Sequence, residues 1–355
     1  MSKPAADASI DCIRMTLLLS LIGASSGASA YQINPLENKY WQSTYPSITE
    51  LVSAPVHEEI TNRARACAAL SVSRDNTSLT CITAGPTPTG TPKGNKHDSL
   101  IRGVWWNDDP NQLLFTQPMT WAVWMEDAKQ IAKKQRNLRG QQRTITPRYY
   151  MQYRSHYGDL QFLHSMASKD DEAPADTRQN ILDWAEFAYA VATRGIGTQT
   201  LLGQVTTSHF QDHFKYQSGW TVSYLFGPRY RLKDNPDHFQ DMALGSLLHL
   251  VQDSYSDAHA QRSLEPSAKC PDGRIVEFHA YGHQVSKLHG TADTRSAWKG
   301  RTFSQAQDPV NVSATIVHFA RQGVGWPIVQ HYLQDTVFCL DTDAQKAGPG
   351  DYARR

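Results

Sequence analysis

Apolar residues recur at helical spacing along most of the chain. This pattern predicts helices at about residues 56–66, 119–136, 146–168, 176–194, 197–215, 237–260, 275–291 and 311–335. Strand-like alternation is scarce, so we expect an all-α fold in a single multi-helix domain at residues 31–340. Residues 84–96, rich in Gly, Pro and Thr, are expected to form a surface loop, and residues 341–355 a disordered tail.

Residues 1–30 have the pattern of a secretory signal peptide. An apolar run at residues 15–21 follows Arg14 and precedes small residues that end in Ala28-Ser29-Ala30, so we expect cleavage before Tyr31. The run is shorter than the ~20 apolar residues that span a membrane. We therefore predict a secreted or periplasmic protein without a transmembrane segment.

Four cysteines remain once Cys12 is removed with the signal: Cys67, Cys81, Cys270 and Cys339. An even number in an exported chain indicates two disulfides. Three pairings are possible, and we favour Cys67 with Cys81 and Cys270 with Cys339, because the first two flank a short segment. The alternative is that all four are reduced core residues.

Composition narrows the function classes. With 355 residues and 40% hydrophobic content, the chain is long enough for one large globular domain. Its formal net charge of +1 provides no bulk attraction to nucleic acid or to an anionic membrane and leaves only local charged patches for such binding, so no nucleic-acid partner is expected. Neither common phosphate-binding glycine loop occurs, which argues against an enzyme with a nucleotide cofactor. The oligomeric state is not indicated.

Residues 244–259 set His249, Asp253 and His259 in an otherwise apolar helical run. Residues four apart share a helix face, so His249 and Asp253 can bind one ion from consecutive turns. His259 lies roughly 9 Å further along the axis, which suits a second ion. Farther along the chain, His289 and Asp293 repeat the spacing of four. A single such pair is more often a hydrogen bond in a core, but the matched spacings favour a polynuclear metal site between helices. Imidazole and carboxylate donors suit zinc first, then manganese or iron.

Two further segments carry candidate ligands. Residues 105–110 read Trp-Trp-Asn-Asp-Asp-Pro, and Asp108 or Asp109 could either turn the chain or bind a metal and accept a proton from water. His156 and His164 lie in a helical segment, where a lone His is more often a core residue than a ligand.

Taken in chain order, these elements resemble the superfamily of trinuclear zinc phosphodiesterases. That superfamily includes bacterial zinc-dependent phospholipase C and the fungal-type single-strand nucleases. The resemblance spans about residues 57–293 and implies an all-helical fold with two or three Zn²⁺ ions. It assigns Asp108, His164, His249 and Asp253 to one zinc, His259, His289 and Asp293 to a second, and His57 with the bridging Asp253 to a third.

One feature of those relatives is missing. Their third zinc is bound by the amino group and carbonyl of a Trp at the mature N-terminus, whereas the terminus expected here is Tyr31, well ahead of His57. The third site therefore requires that the preceding segment folds back, that it is cleaved further, or that another donor replaces the Trp. Asp109 remains an alternative to Asp108, and His156 an alternative to His164.

The resemblance also favours a lipid substrate. In the nuclease relatives, an aromatic residue and an Asp that bind a base follow the equivalent of His164, but this chain has Ser-Met-Ala there. The chain looks more like the secreted phospholipases C of Gram-negative bacteria, which act on phosphatidylcholine and related lipids. Its partner would be a phospholipid substrate at a membrane surface.

The resemblance implies hydrolysis to diacylglycerol and a phosphorylated headgroup by metal-activated water, with Asp108 orienting or deprotonating that water. A single-strand nuclease or nucleotidase is one alternative, and an exported helical binding module with structural metals is another. Aromatic residues that could lie at a lipid interface, or else in the core, are Trp105, Trp106, Trp220, Tyr224 and Phe226.

Overall fold

The computed structural model describes residues 56–70, 81, 98–113, 118–132, 147–227 and 237–353. Within these ranges lie α1 Val56–Leu70, α2 Ser99–Trp106, α3 Pro118–Ala132, α4 Met151–Tyr157, α5 Pro174–Ala192, α6 Phe210–Phe214, α7 Val222–Phe226, α8 His238–Asp253, α9 Ser286–Ala292, α10 Arg295–Gly300, α11 Pro309–Gln322 and α12 Trp326–Tyr332. The expected signal peptide and the loop at 84–96 lie outside the described residues.

In addition to the helices, the described part of the chain contains a two-stranded sheet. Strand β1, Ala260–Ser263, pairs antiparallel with β2, Arg274–Phe278. The prediction of a mainly helical protein is therefore confirmed, and the stricter all-α prediction is corrected by this two-stranded sheet. None of the helices in the described part of the chain is long and apolar enough to cross a membrane.

Helix α8 lies at the centre of the fold. It packs against α2, α5, α7 and α11, while α1 packs against α11. The leucines and valine of its second half, Leu247, Leu248, Leu250 and Val251, are all fully buried, as expected of a helix that is covered on every side. Burial of each such side chain contributes roughly 1.5–3 kcal/mol to the free energy of folding. This apolar packing fixes the helix whose last two turns carry His249 and Asp253.

The predicted helices differ from the observed ones where tertiary contacts intervene. Residues 197–215 make backbone hydrogen bonds to a later segment, with Leu202 N–H donating to Trp220 O at 2.8 Å. Between residues 197 and 214, helical structure is limited to a 3₁₀ turn, Leu202–Gln204, and α6. The helix predicted at 237–260 ends at Asp253, where Arg262 Nε donates to Ser254 O at 2.8 Å. At 311–335 the helix breaks at Gly323, whose φ of +64° makes it a left-handed cap.

The helix predicted at 275–291 is wrong in its first part. Residues 274–278 form β2, with Ile275 and Phe278 buried against the core. Ile275 N–H donates to Cys339 O at 2.8 Å, so a distant segment completes the strand's hydrogen bonding. The helical part of the segment is α9. At 146–168 the predicted helix is interrupted between α4 and a 3₁₀ turn, Gln161–His164.

The favoured cysteine pairing is confirmed. Cys67 is bonded to Cys81, and Cys270 to Cys339. The first bridge ties residue 81 to α1. The second links the β1–β2 connection to the segment that follows α12.

Residues 341–353, expected to lie in a disordered tail, instead run along the molecule. We call them the C-terminal strap. Ala347 N–H donates to Glu172 O at 3.0 Å, Ala280 N–H donates to Gly348 O at 2.7 Å, and Val285 N–H donates to Tyr352 O at 2.7 Å. The strap is thus bonded to the segments before α5 and before α9. The prediction of a disordered tail is corrected for these residues.

Helices α2 and α8 approach so closely that only glycine fits at their crossing. A Cβ on Gly103 would lie 2.2 Å from Met242 O, and one on Gly245 would lie 2.2 Å from Leu100 O. The contact is backbone against backbone, so neither side can relax by rotating a side chain. The crossing brings the end of α2 beside the last turns of α8.

We expect Gly245→Ala to destabilise the protein by roughly 3 kcal/mol, because overpacking at a backbone contact forces the two helices apart. Urea unfolding followed by circular dichroism would measure the change. Gly300→Ala is the matched control, since a Cβ there meets nothing within 4 Å. Equal stabilities of the two variants would contradict the close crossing.

Candidate metal centre

Asn107 fixes the chain just beyond α2. Its Nδ2 donates to Leu163 O at 2.7 Å and to Ser246 O at 3.3 Å, and its Oδ1 accepts from Ser246 Oγ at 2.6 Å. Gln152 Nε2 donates to the backbone oxygen of Asp108 at 2.8 Å. These bonds hold Asp108 between α4, α8 and the turn that ends at residue 164.

Nine buried His and Asp side chains lie in three neighbouring groups. In each group, one ligand atom per residue lies within 4.8 Å of the others, which is close enough for a shared metal ion. The His57 group is His57, His249 and Asp253; the Asp108 group is Asp108, His156 and His164; the His259 group is His259, His289 and Asp293.

The His57 group joins α1 to α8. His57 Nε2 lies 3.1 Å from Asp253 Oδ1, and His249 Nε2 lies 3.0 Å from Asp253 Oδ2. The other ring nitrogen of each histidine contacts an oxygen that does not belong to the group. His57 Nδ1 lies 2.7 Å from Gln252 Oε1, and His249 Nδ1 lies 2.6 Å from Val104 O. Val104 O lies in the last turn of α2, where carbonyls have no partner within the helix.

The His259 group combines the turn after α8 with α9. His289 Nε2 lies 3.2 Å from Asp293 Oδ2, and His259 Nε2 lies 3.6 Å from Asp293 Oδ1. His259 Nδ1 contacts His164 O at 2.6 Å, and His289 Nδ1 contacts Gln284 Oε1 at 2.5 Å. No hydrogen-bond partner is found among the described residues for Nε2 of either histidine.

The four imidazoles of these two groups share one arrangement. Each Nδ1 faces an oxygen acceptor outside the group, so it carries the ring proton and leaves Nε2 as a lone-pair donor that points inward. Metal-binding histidines in proteins are held in this way. Burial lowers the pKa of His249 to about 3 and lowers the pKa of His259 below its usual range, so both are neutral ligands at neutral pH.

The Asp108 group lies beside the other two. The rings of His156 and His164 are 5.1 Å apart, and His156 Nδ1 contacts Gln152 O at 3.1 Å. Neither carboxylate oxygen of Asp108 has a hydrogen-bond partner in the described structure, and the same holds for Nε2 of His164. Buried polar atoms without partners are rare in proteins, and a bound cation would satisfy these three.

Asp253 connects the three groups. Its Oδ2 lies 2.9 Å from His164 Nδ1 and 3.6 Å from His259 Nδ1, in addition to the contacts with His57 and His249. Burial alone would raise its pKa, but the surrounding histidines, His249 and His259 first, hold the pKa well below its usual range. Asp253 is therefore a charged, shared carboxylate.

Three buried carboxyl groups, those of Asp108, Asp253 and Asp293, lie close together in the centre. Burial raises the pKa of Asp108 well above its usual range, and the charges of Asp253 and Asp293 raise it further. Carboxylates brought together in a buried site repel one another unless a cation lies between them. The donor set, the inward Nε2 atoms and these carboxyl groups all fit divalent metal ions.

The structure brings together every ligand residue predicted from the sequence, but it groups them differently. The resemblance places His249 with Asp108 and His164, whereas His249 lies in the group of His57. His156, considered as an alternative to His164, stands beside it. Of the two adjacent carboxylates, Asp108 belongs to a group and Asp109 does not.

The sequence analysis treated His156 and His164 as alternatives, whereas the structure places both in the Asp108 group. The helix α4 ends between these two residues. Gly158, with φ of −116° and ψ of −148°, interrupts the helix, so spacing along one helix could not relate His156 to His164. The only sequence feature that related His156 to His164 was their position in the same predicted helical segment, residues 146–168.

Most of the aromatic residues considered for a lipid interface lie in the core. Trp105, Trp106 and Phe226 are buried, and Trp106 stacks on Trp184 at 5.3 Å between ring centroids. For these three the interface interpretation is wrong. Tyr224 is exposed, and its ring lies 5.0 Å from that of the half-buried Trp220.

Comparison of the chain with protein-family models, with curated proteins and with solved structures finds no match.

Gln284 connects the C-terminal strap to the His259 group. Its Oε1 accepts from His289 Nδ1, while its Nε2 donates to Ala258 O at 2.8 Å and to Pro349 O at 3.1 Å. The strap thereby helps to set the orientation of His289.

We expect Gln284→Leu to weaken metal binding in the His259 group by roughly 10–100-fold, because His289 loses the acceptor that fixes its ring proton and orientation. Zinc titration against a competing chelator would measure the affinity. Gln261→Leu, at an exposed position of β1, is the control. Unchanged affinity in the Gln284 variant would show that His289 needs no such partner.

Proposed function

We propose that this protein is a zinc-dependent phosphodiesterase, and more narrowly a secreted phospholipase C that acts on phosphatidylcholine-type glycerophospholipids. The observation that carries the proposal is the set of three adjacent His/His/Asp groups joined through Asp253. The ordered resemblance of these residues to the zinc phosphodiesterases supports the reaction class.

The number of ligands favours a catalytic centre over a structural one. Structural zinc sites usually have four protein ligands, whereas catalytic sites have three and keep a position for water or substrate. Each group contains three His or Asp ligands among the described residues. This count argues against a binding module whose metals only stabilise the fold.

Zinc bound here would neutralise phosphate oxygens and make water a stronger nucleophile at neutral pH. The protein supplies the arrangement. Asp253 and the histidines hold three binding positions side by side, so one phosphodiester can contact more than one of them. Asp108 is oriented by Gln152 through its backbone, and while one of its carboxylate oxygens would bind the cation, the other would orient a water molecule and accept its proton.

Burial strengthens each of these effects. The ligand residues are 5% exposed or less, so charges on a phosphate would be stabilised in surroundings with little water screening.

The residues after His164 favour lipid over nucleic acid. Ser165 is buried and its Oγ donates to Leu250 O at 2.6 Å, and Met166 packs beside Tyr157 and Tyr281. None of the residues at 165–167 presents an aromatic ring that could stack on a base. The two disulfides are consistent with the proposed export.

Release of phosphocholine from phosphatidylcholine liposomes by the zinc-loaded protein tests the proposal. We expect release that a chelator abolishes and added zinc restores. Cleavage of single-stranded DNA without phosphocholine release would identify a nuclease instead. Absence of both activities in a protein with verified zinc content would contradict the proposed enzyme class.

A further inference from the structure

Two cations and two tyrosines form an exposed cluster at the start of α4. Arg148 and Tyr149 lie in the turn that precedes this helix, and Lys215 and Tyr216 lie in the turn after α6. The Arg148 guanidinium carbon lies 4.8 Å from the centre of the Tyr216 ring and 5.3 Å from that of Tyr149. Lys215 Nζ lies 5.4 Å from the Tyr216 ring. We call these four residues the Arg148 patch.

The cations of the Arg148 patch are available for a partner. Other exposed arginines form ion pairs, as Arg194 does with Asp237 and Arg295 with Glu59. Within the described structure, Arg148 and Lys215 have no carboxylate within 4.0 Å. Tyr149 and Tyr216 are 48% and 37% exposed, so both aromatic rings are accessible to a partner.

The patch is connected to the metal centre by buried hydrogen bonds. Gln217 Nε2 donates to Arg148 O at 2.9 Å, and Gln217 Oε1 accepts from Arg154 at 2.9 Å. Arg154 is almost fully buried in α4, two residues before His156. The patch is therefore hydrogen-bonded to the helix that also carries His156.

The sequence around the patch is strongly basic, although the whole chain has a net charge of +1. Between Asp127 and Asp159 there is no acidic residue. The cationic residues in that interval are Lys129, Lys133, Lys134, Arg136, Arg139, Arg143, Arg148 and Arg154. Positive charge is concentrated in the segment that leads into α4, and such segments are attracted to anionic lipids.

We propose that the Arg148 patch docks the protein on an anionic phospholipid membrane, with both tyrosines at the level of the headgroups. The inference rests on the proposed function, because it names the surface from which that substrate is drawn. Tyr149 lies two residues before the start of α4, and His156 lies within that helix, so the patch is on the segment that leads directly into the helix of the Asp108 group.

The arrangement of the rings favours a lipid surface over a nucleic acid. Tyr149 and Tyr216 meet edge to face at 67°, and the guanidinium of Arg148 lies over both rings. Stacked bases need uncovered ring faces in succession. Tyrosine combines an apolar ring with a polar hydroxyl, which suits the boundary between headgroups and acyl chains.

Vesicle co-sedimentation tests the docking site. Binding is measured in an Asp108→Asn background so that lipid is not consumed, on phosphatidylcholine vesicles with and without ~30% phosphatidylglycerol. We expect tighter binding to the anionic vesicles, which weakens as salt is added. Arg148→Gln with Lys215→Gln should weaken that binding at least tenfold, at about fivefold for each charge removed. Lys269→Gln with Lys346→Gln removes the same charge at other exposed positions and should have little effect.

Three results would overturn the proposal: equal binding to both vesicle types, equal losses in the two double variants, or loss of binding to a single-stranded oligonucleotide without loss of binding to vesicles.

Turnover of a short-chain phosphatidylcholine dissolved as monomers separates this proposal from the proposed function. In the otherwise native protein, we expect the Arg148/Lys215 double variant to retain that turnover. Absence of turnover with intact anionic binding would contradict the phospholipase and leave the docking site standing.

Discussion

Asp253→Ala is expected to remove metal from at least two of the three groups and to lower phosphodiester hydrolysis by about 10³-fold or more. Asp253 contacts His57, His164 and His249 within 3.1 Å, and no other residue of the centre joins so many ligands. Metal ions supply several kcal/mol of transition-state stabilisation in hydrolases, which corresponds to this loss in rate. Elemental analysis of the dialysed protein, with kcat measured in parallel, checks both parts.

Asp257→Ala is the matched control for this experiment. Asp257 lies four residues later, its side chain is 52% exposed, and it pairs with Arg301 at 2.7 Å. We expect it to retain metal and turnover. Because a buried alanine could disturb folding, Asp253→Asn, which keeps the shape, is compared by circular dichroism. Full metal content in a folded Asp253 variant would contradict the shared carboxylate.

Asp108→Asn is expected to lower kcat by roughly 10²–10⁴-fold, the usual contribution of a general base, while the His259 group keeps its metal. The amide preserves the shape but accepts a proton poorly and carries no charge. Elemental analysis distinguishes the two variants: we expect Asp108→Asn to lose no more than one metal ion per chain, whereas Asp253→Ala loses metal from at least two groups.

The neighbouring carboxylate provides the control. Asp109 is as deeply buried as Asp108 but lies in none of the three groups. We expect Asp109→Asn to keep turnover within a few-fold of the original protein. If Asp109→Asn loses turnover and Asp108→Asn does not, the roles of the two residues are reversed.

Local patterns predicted much of the helical structure. Helix α5 was placed within two residues at each end, and α8 was placed correctly at its start, because both have long apolar stretches with clear helical spacing. Short elements were predicted poorly. The strand β2 and the irregular segment before α6 make their backbone hydrogen bonds to distant residues, which no local pattern encodes.

In the candidate site, too, some ligand pairs could be predicted from local spacing and others could not. His249 with Asp253 and His289 with Asp293 could be paired from the sequence, because each pair is four residues apart and shares a helix face. The joining of His57, Asp108 and His156 to these pairs depends on the crossing of α2 and α8 and on the turn at Gly158.

By itself, the sequence determined which residues carry ligand chemistry, the spacing that pairs them, the expectation of two disulfides and the mainly helical class, since all of these follow from residue type, cysteine number and short-range periodicity. Which cysteines are paired was decided by the tertiary structure. The tertiary structure decided which ligands share a group, which of the adjacent carboxylates faces the centre, and that the C-terminal strap reaches Gln284. These depend on helix crossings and backbone hydrogen bonds between residues far apart in the chain, whose geometry is set by the packing of the whole core.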